Sequence, residues 1–379
     1  MSAPAERSTA LLLYKRALFA LLPTLAMVPV AEVALRVAIP DVEIRTPLSR
    51  GGFLRPYLPG AEADLIGADF RVRYAINEAG FRDLRGRAFA PVHPGLIRVL
   101  LLGDSFTEGY GVEQADTYAR RLERSGRFDA WDLGRMGASP LFYVVMAREF
   151  VPRLAPDVVV VQLFDNDLDE NRFRHLPRER DGRVGALPDA MRPPDGAAAW
   201  VIDAWRGLAL VQAFGRLEDR LSGKGVPRIF VRPGSRVESA PPAANRGSAP
   251  LFPWYDPTRA PEWEPLLAEQ EVLVRQLVSE LRASNTRLLL AYVPHAPELV
   301  AGDPEASRAR NPHERRLARL ARELDVSFLD GIDLFAAPGR VPAHYYFEHD
   351  QHWNPAGHAL FAEALEARLS AMSNGEAAP

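Results

Sequence analysis

The stretch from Ile97 to Gly109 constrains the fold of this chain more than any other. Residues 97–102 form an apolar-rich run, which passes directly into the sequence GDSFTEG at residues 103–109. An apolar run that ends at glycine is typical of a strand covered on both faces of a parallel sheet. We therefore expect Ser105 just beyond the carboxyl end of a central strand, where open α/β sheets place their functional groups.

Similar apolar runs alternate with helical patterns along the rest of the chain. The clearest predicted strand is Asp157–Phe164. Further strands are predicted at residues 128–133, 286–293 and 326–329. Helices are predicted at residues 117–124, 142–154, 265–283, 312–324 and 355–370. Strands that alternate with crossover helices predict a parallel, doubly wound sheet.

Two regions interrupt this alternation. Residues 41–96 carry a strand-like pattern at Phe70–Ile76 and a turn at Gly80, which predict a small β connecting segment. We interpret it as a docked linker, with a direct substrate role as the alternative. Residues 171–260 are irregular except for a predicted helix at 197–221. An excursion of this length is typical of a functional insertion or of a partly disordered segment. Its helix is interpreted as a lid or packing element, with membrane-surface binding as the alternative.

The N-terminal 40 residues resemble a membrane anchor. Lys15 and Arg16 precede an apolar run from Ala17 to Ala31. Basic residues on this side predict that the remainder of the chain lies outside the cytoplasmic membrane. An ion pair between Glu32 and Arg36 at the far interface would extend the helix to full span. We predict an uncleaved signal-anchor helix; a cleaved signal peptide and a soluble core helix are the alternatives.

Composition excludes several classes of function. A formal net charge of -3 gives no basic footprint for nucleic acid. The absence of cysteine excludes disulfides, thiolate catalysis and cysteine-ligated metal sites. The carboxylates at Asp165 and Asp167 suggest a cation site as an alternative, but no second ligand group has a matching spacing. No metal or cofactor is therefore expected.

Polar residues follow the predicted strands and precede the last helix. Gly137 follows the second strand and Asn166 follows the third, although both are also ordinary turn residues. Near the C-terminus, Asp350 and His352 are two positions apart. In an extended loop their side chains share one face, so the carboxylate can hold one imidazole nitrogen while the other points outward.

These blocks together resemble the SGNH (GDSL-type) hydrolases, whose name gives a serine, a glycine, an asparagine and a histidine in four separated blocks. The resemblance covers about residues 97–372, within a hydrolase domain assigned to residues 97–379. It implies a three-layer α/β/α, flavodoxin-like fold with a central parallel sheet. It also implies that Ser105 is the nucleophile, with His352 and Asp350 completing a triad. Gly137, Asn166 and the N–H of Ser105 correspond to the oxyanion hole.

Two departures from the family pattern concern the mouth of this site. The third block reads FDND at residues 164–167, so the usual glycine is missing, and the second block opens with Asp132 where asparagine is usual. The Asp-x-His-Trp form of the last block is similar to that of membrane-associated SGNH proteins that move acetyl groups on cell-envelope polysaccharides. With the anchor and the sequence NEAGFR at residues 77–82, it resembles a membrane-anchored bacterial branch.

The resemblance implies a serine-dependent esterase that acts outside the cytoplasmic membrane. A serine hydroxyl is a weak nucleophile until a base accepts its proton, and His352 is the candidate base. Asp350 would fix the imidazole tautomer. The substrate is expected to be an acyl ester or an acylated carbohydrate. An O-acyltransferase with the same site and a non-catalytic membrane-anchored scaffold are the alternatives.

Overall fold

The computed structural model describes most of the chain. The described residues are 19, 26–38, 44, 52–86, 95–168, 178–188, 192, 196–214, 229–236 and 257–374. The strands are β1 (Glu62–Ile66), β2 (Arg71–Ala75), β3 (Ile97–Leu102), β4 (Phe128–Asp132), β5 (Val158–Phe164), β6 (Ile229–Val231), β7 (Arg287–Val293) and β8 (Ser327–Asp330).

The described helices are distributed along the chain, and the last one ends at residue 373. They are α1 (26–38), α2 (Ser105–Glu108), α3 (Tyr118–Glu123), α4 (Pro140–Leu154), α5 (Gly196–Arg206), α6 (209–214), α7 (Ala260–Ala283), α8 (Pro304–Arg310), α9 (Pro312–Glu323), α10 (Gly331–Phe335) and α11 (Pro355–Ser373). The predicted strands and the predicted helices of the α/β region are present, with ends within a few residues of those expected.

Five strands form the central parallel sheet in the order β4-β3-β5-β7-β8. β3 lies between β4 and β5, with Val99 opposite Ala130 on one side and Val158 on the other. Every residue of β5 is buried, which explains its continuous apolar sequence. α4, α7 and α9 cover one face of the sheet, and α3 and α11 cover the other. The prediction of an α/β fold with a central parallel sheet is confirmed.

A second, antiparallel sheet has the order β2-β1-β6. β1 and β2 form a hairpin with its turn at residues 67–70, and Leu65 lies opposite Val72. β2 corresponds to the strand predicted at Phe70–Ile76, but β1 was not predicted, and the predicted turn at Gly80 follows β2. The sequence pattern did not predict β6, which pairs with β1 although it belongs to the insertion after residue 170. The insertion therefore contributes a strand to the N-terminal sheet.

Arg82 joins this small sheet to the segment that follows Ser105. Its guanidinium group donates to the carbonyl oxygens of Glu108 (3.1 Å), Gly109 and Val112 (2.6 Å). It also lies over the ring of Tyr74, 4.0 Å from the centroid. The side chain is 2% exposed, so these contacts replace the water that a guanidinium group otherwise binds.

The helix predicted at 197–221 is wrong as a single element. α5 ends at Arg206 and α6 begins at residue 209, while residues 215–221 lie outside the described part of the chain. The break has a physical cause, because Gly207 is a poor helix former and Glu32 caps the second helix. The Glu32 carboxylate accepts from Ala209 N (2.8 Å) and Leu210 N (3.0 Å).

The proposed anchor lies mostly before the described residues. In the described part of the chain, no helix is both long enough and apolar enough to cross a membrane. The described helix α1 does contain the expected ion pair, in which Arg36 Nε lies 2.6 Å from Glu32 Oε1. Arg36 also donates to the carbonyl oxygen of Gly207 at 3.0 Å. The C-terminal half of α1 is therefore attached to the turn between α5 and α6.

The loop after β4 packs directly on α2, and Gly134 makes this approach possible. A Cβ atom at Gly134 would lie 2.4 Å from Glu108 N and 2.7 Å from the carbonyl carbon of Thr107. We expect Gly134→Ala to lower the free energy of unfolding by about 1–3 kcal/mol, because backbone has to move. Denaturant titration measures this loss.

Gly207→Ala is the matched control for this substitution. A Cβ at Gly207 would lie 3.3 Å from the nearest atom, a tight contact without the overlap found at Gly134, so this variant is expected to lose less stability than Gly134→Ala. Equal stability of the Gly134→Ala and wild-type proteins would contradict the close packing of the two loops.

Candidate active site

Ser105 is the first residue of α2 and directly follows the central strand β3. Asp104 caps this one-turn helix, since its Oδ1 accepts from Phe106 N at 3.0 Å. Gly109 ends the helix with a φ of 78°, a backbone conformation that glycine adopts without strain. The Ser105 side chain therefore lies at the carboxyl edge of the sheet, where the sequence predicted it.

A glutamine on the neighbouring strand fixes the turn before Ser105. Gln162 Oε1 accepts from Thr107 Oγ1 at 2.8 Å and from Asp104 N at 3.3 Å. A Cβ at Gly103 would lie 2.5 Å from the same oxygen, so only glycine fits beneath it. This role of Gln162 was not predicted from the sequence. The available signal was a lone polar residue in an otherwise apolar strand.

The fold brings Ser105 and His352 together although 247 positions separate them. Ser105 Oγ lies 2.7 Å from His352 Nε2. The other ring nitrogen, Nδ1, is hydrogen-bonded to Asp350 Oδ1. The imidazole ring packs between Phe106 and Tyr110, with ring centroids 4.8 and 4.6 Å away. These contacts hold the ring in one orientation, with one nitrogen on a hydroxyl and the other on a carboxylate.

The loop that carries Asp350 and His352 is a tight turn, so the prediction of an extended loop is wrong. Phe347 N donates to the carbonyl oxygen of His352 at 2.7 Å, which closes the turn. Gln351 has a φ of 67°, in the left-handed region. Its side-chain Oε1 lies 2.7 Å from His295 Nε2, which holds this conformation. The carboxylate and the imidazole meet because the chain reverses, and not because alternate residues share a face.

Gly137 and Asn166 lie in the loops on either side of Ser105. Gly137 follows β4 and has a φ of 69°, while Asn166 belongs to a single 3-10 turn at Asp165–Leu168 after β5. Because β4 and β5 both pair with β3, the three loops are neighbours at one sheet edge. Asn166 Oδ1 is buried and has no hydrogen-bond partner among the described residues.

A buried carboxylate links the second loop to the small sheet. Glu108, at the end of α2, accepts hydrogen bonds from Met136 N (2.7 Å), Tyr74 Oη (3.0 Å) and Tyr57 Oη. Met136 directly precedes Gly137 in the chain. Glu108 therefore fixes the backbone at Gly137, a role that the sequence did not reveal.

The carboxylates beside Asn166 bind protein groups. Asp165 Oδ1 accepts from Tyr292 Oη at 2.8 Å and lies 2.9 Å from His313 Nδ1. Asp167 Oδ1 accepts from Tyr143 Oη at 3.0 Å. No group of three or more histidine and acidic side chains within the described residues could hold a metal ion. The structure thus gives no support to the alternative of a cation site here.

The two buried aspartates of the first and second blocks have raised pKa values. Burial raises the pKa of Asp104 from 3.8 to about 6, against the opposing hydrogen bond from Phe106 N. Burial, with Asp83 nearby, raises the pKa of Asp132 well above its ordinary value. Asp132 Oδ1 accepts from Gly134 N at 2.9 Å, so the departure from asparagine leaves the turn after β4 intact.

The chain belongs to the GDSL-like lipase/acylhydrolase family. The model of this family matches residues 101–360, which is more than half of the chain. The expected resemblance to GDSL-type hydrolases is thereby confirmed, and so is the prediction of an enzyme that hydrolyses ester bonds. Comparison with curated proteins found no match.

Solved structures of esterases are similar to this chain. The psychrotrophic esterase EstA from Pseudoalteromonas sp. is 11% identical, with a TM-score of 0.38; the match covers 73% of this chain and 98% of that one. A catalytic mutant of the acetylxylan esterase Axe2 from Geobacillus stearothermophilus is 15% identical, also with a TM-score of 0.38. That match covers 72% of this chain and 94% of the other.

The raised pKa of Asp104 predicts a pH-dependent stability. Between pH 3.8 and about 6 the unfolded chain loses this proton while the folded protein retains it, so the stability falls as the pH rises. In Asp104→Asn this loss is absent, and asparagine caps a helix equally well. We expect the free energy of unfolding of the variant, relative to that of wild type, to increase by about 2–3 kcal/mol from pH 4 to pH 7.5. Denaturant titrations of both proteins at both pH values measure this change. The same difference in free energy of unfolding between variant and wild type at about pH 4 and at about pH 7.5 would contradict the prediction.

Proposed function

We propose that this protein is a serine esterase in which Ser105 is the nucleophile and His352 is the general base. The observation that carries the proposal is the 2.7 Å contact between Ser105 Oγ and His352 Nε2. The same imidazole uses Nδ1 on Asp350. A hydroxyl that donates to an oriented imidazole is the arrangement that activates serine in acyl transfer.

The proposed reaction has two half-reactions. Ser105 Oγ attacks the acyl carbon of the ester while its proton passes to His352 Nε2. The imidazolium ion, stabilised by Asp350, then gives this proton to the leaving alcohol as the carbon–oxygen bond breaks. Water then attacks the acyl carbon of the acyl-enzyme while its proton passes to His352 Nε2. The bond from the acyl carbon to Ser105 Oγ breaks, His352 returns the proton to Ser105 Oγ, and the carboxylic acid leaves. No step requires a metal or a cofactor.

The tetrahedral intermediates carry a negative oxygen that needs donors. We assign the side-chain amide of Asn166 and the N–H groups of Gly137 and Ser105 to this oxyanion hole. The adjacent positions of their loops around β3 support the assignment. The fixed backbone at Met136 supports it further, because donors that do not reorganise stabilise a developing charge most effectively.

Substitutions of three site residues test this function. We expect Ser105→Ala and His352→Ala to abolish turnover of p-nitrophenyl acetate while the circular dichroism spectrum is unchanged. Asn166→Ala keeps the nucleophile and the base and loses one donor, so kcat should fall by about 10²–10³. Wild-type turnover in both Ser105→Ala and His352→Ala would contradict the assignment of nucleophile and base. No turnover by the wild-type protein, together with no labelling of Ser105 by a serine-directed fluorophosphonate, would favour a non-catalytic scaffold.

The substrate that we propose is an acyl ester, with an acylated carbohydrate of the cell envelope as the specific candidate. The Asp-x-His-Trp form of the last block favours this class and also an O-acyltransferase, in which a sugar hydroxyl replaces water. An assay with an acetyl donor and an acceptor oligosaccharide separates the two activities. Release of free acetate alone indicates hydrolysis, and acetylated oligosaccharide indicates transfer.

We further propose that the N-terminal helix anchors the protein in the cell membrane, with the hydrolase domain outside the cytoplasm. The basic residues before the apolar run support this orientation. Apolar side chains of α1 support it too, since they are exposed to solvent and make no core contacts. They include Met27, Val30, Val33 and Val37, with exposed fractions of 61%, 58%, 62% and 81%.

Membrane fractionation tests the anchor. We expect the full chain to remain in the membrane pellet after a wash with high salt and to be released by detergent, because apolar contacts do not weaken with ionic strength. Protease added outside intact spheroplasts should cleave the hydrolase domain. Release by the salt wash would contradict the anchor, and protection from protease would contradict the orientation.

A further inference from the structure

The turn between β1 and β2 reaches the loop that carries Asp350 and His352. Asp69 lies at this turn, and its side chain is 11% exposed. Asp69 Oδ2 accepts from the backbone N–H groups of His349 (2.9 Å) and Asp350 (3.0 Å). Its other oxygen, Oδ1, lies 2.7 Å from His349 Nδ1. A single carboxylate therefore binds three donors of one tight turn.

These contacts fix the position of the backbone that carries the Asp350 side chain. Hydrogen bonds from N–H groups to a carboxylate are about twice as strong as those between neutral groups. Two of them, on consecutive residues, restrain the backbone immediately before Gln351, whose φ of 67° is unfavourable for a non-glycine residue. Release of this backbone would let the Asp350 carboxylate move away from His352 Nδ1.

Phe70, the next residue of the same turn, packs on an aromatic ring that contacts His352. The ring of Phe70 lies 5.2 Å from those of Tyr110 and Phe347. Tyr110 in turn packs on the imidazole of His352. The β1–β2 turn thus holds the triad loop through Asp69. Through Phe70, the same turn packs on Tyr110, whose ring orients the imidazole of His352.

We propose that Asp69 is a positioning residue of the active site, which acts through Asp350 and touches no reacting atom. It lies before the segment that the family model matches, residues 101–360. The small antiparallel sheet then helps to position the catalytic groups, whereas the sequence suggested only a docked linker. The inference rests on the proposed esterase function, because it needs His352 to act as a base.

Kinetics of Asp69 variants test this role. We expect Asp69→Ala to lower kcat for p-nitrophenyl acetate by about 10–100-fold and to leave KM within twofold of wild type, since a small displacement of a catalytic group costs up to about 10². Asp69→Asn keeps an oxygen that accepts from both N–H groups, so it should restore kcat to within about fivefold. Wild-type kcat in Asp69→Ala would overturn the proposal.

A double substitution separates positioning from stability. If Asp69 acts through Asp350, then Asp69→Ala should have no further effect on kcat in an Asp350→Ala background. The same fold-loss in both backgrounds would overturn the proposal. Should Asp69→Ala fail to fold, Asp69→Glu replaces it in both backgrounds. Glutamate keeps the charge and displaces the bound backbone by one methylene, so we expect a loss of about tenfold that vanishes without Asp350.

Asp64→Ala is the matched control on the same hairpin. Asp64 is also buried and accepts from Arg71 at 2.9 Å, but the described contacts do not connect it to the triad loop. Its loss should change stability and leave kcat unchanged. Full turnover in Ser105→Ala would refute the proposed serine mechanism, with Ser105 as its nucleophile. With that variant inactive, an unaffected Asp69→Ala refutes only the positioning role.

Discussion

The hydrogen bond between Ser105 Oγ and His352 Nε2 is the interaction on which the rest of the site depends. It joins the turn after the central strand to a loop 247 positions further along the chain. The parallel sheet makes this possible, because the carboxyl ends of β3, β4 and β5 lie at one edge and α11 packs back against α3. Proton transfer between the two side chains requires both of them to be held in fixed positions. Most of the buried polar groups around the site contribute to holding them.

Those buried groups form bridges between neighbouring loops. Gln162 holds the turn before Ser105, and Glu108 holds the backbone beside Gly137. Asp69 holds the turn at Asp350, and Arg82 binds the carbonyl groups that follow α2. Each of these groups is buried or half-buried and binds at least two partners. Hydrogen bonds in such surroundings are stronger than in water. Two of the four bridges come from the β1–β2 turn and from the segment that follows β2, which supports the proposal that this region helps to position the site.

The sequence predicted the central sheet well, because fully buried strands such as β5 are continuous apolar runs. It also identified every side chain in the Ser105–His352–Asp350 arrangement, since each follows a strand or precedes a capped helix. It could not predict that the last loop turns at Gln351, because no simple pattern marks a left-handed glutamine. Asp69 was missed for a related reason: an aspartate in a hairpin turn is ordinary, and its partners lie 280 and 281 positions away. β6 was missed because its pairing with β1 is a long-range contact.

We propose that one serine in this chain, Ser105, is activated by one histidine, His352. Mass spectrometry after reaction with a serine-directed fluorophosphonate tests it most directly. We expect one adduct per chain, on the peptide that contains Ser105, and a greatly slowed reaction in His352→Ala. An adduct on another residue, or equally fast labelling of Ser105 without His352, would contradict it.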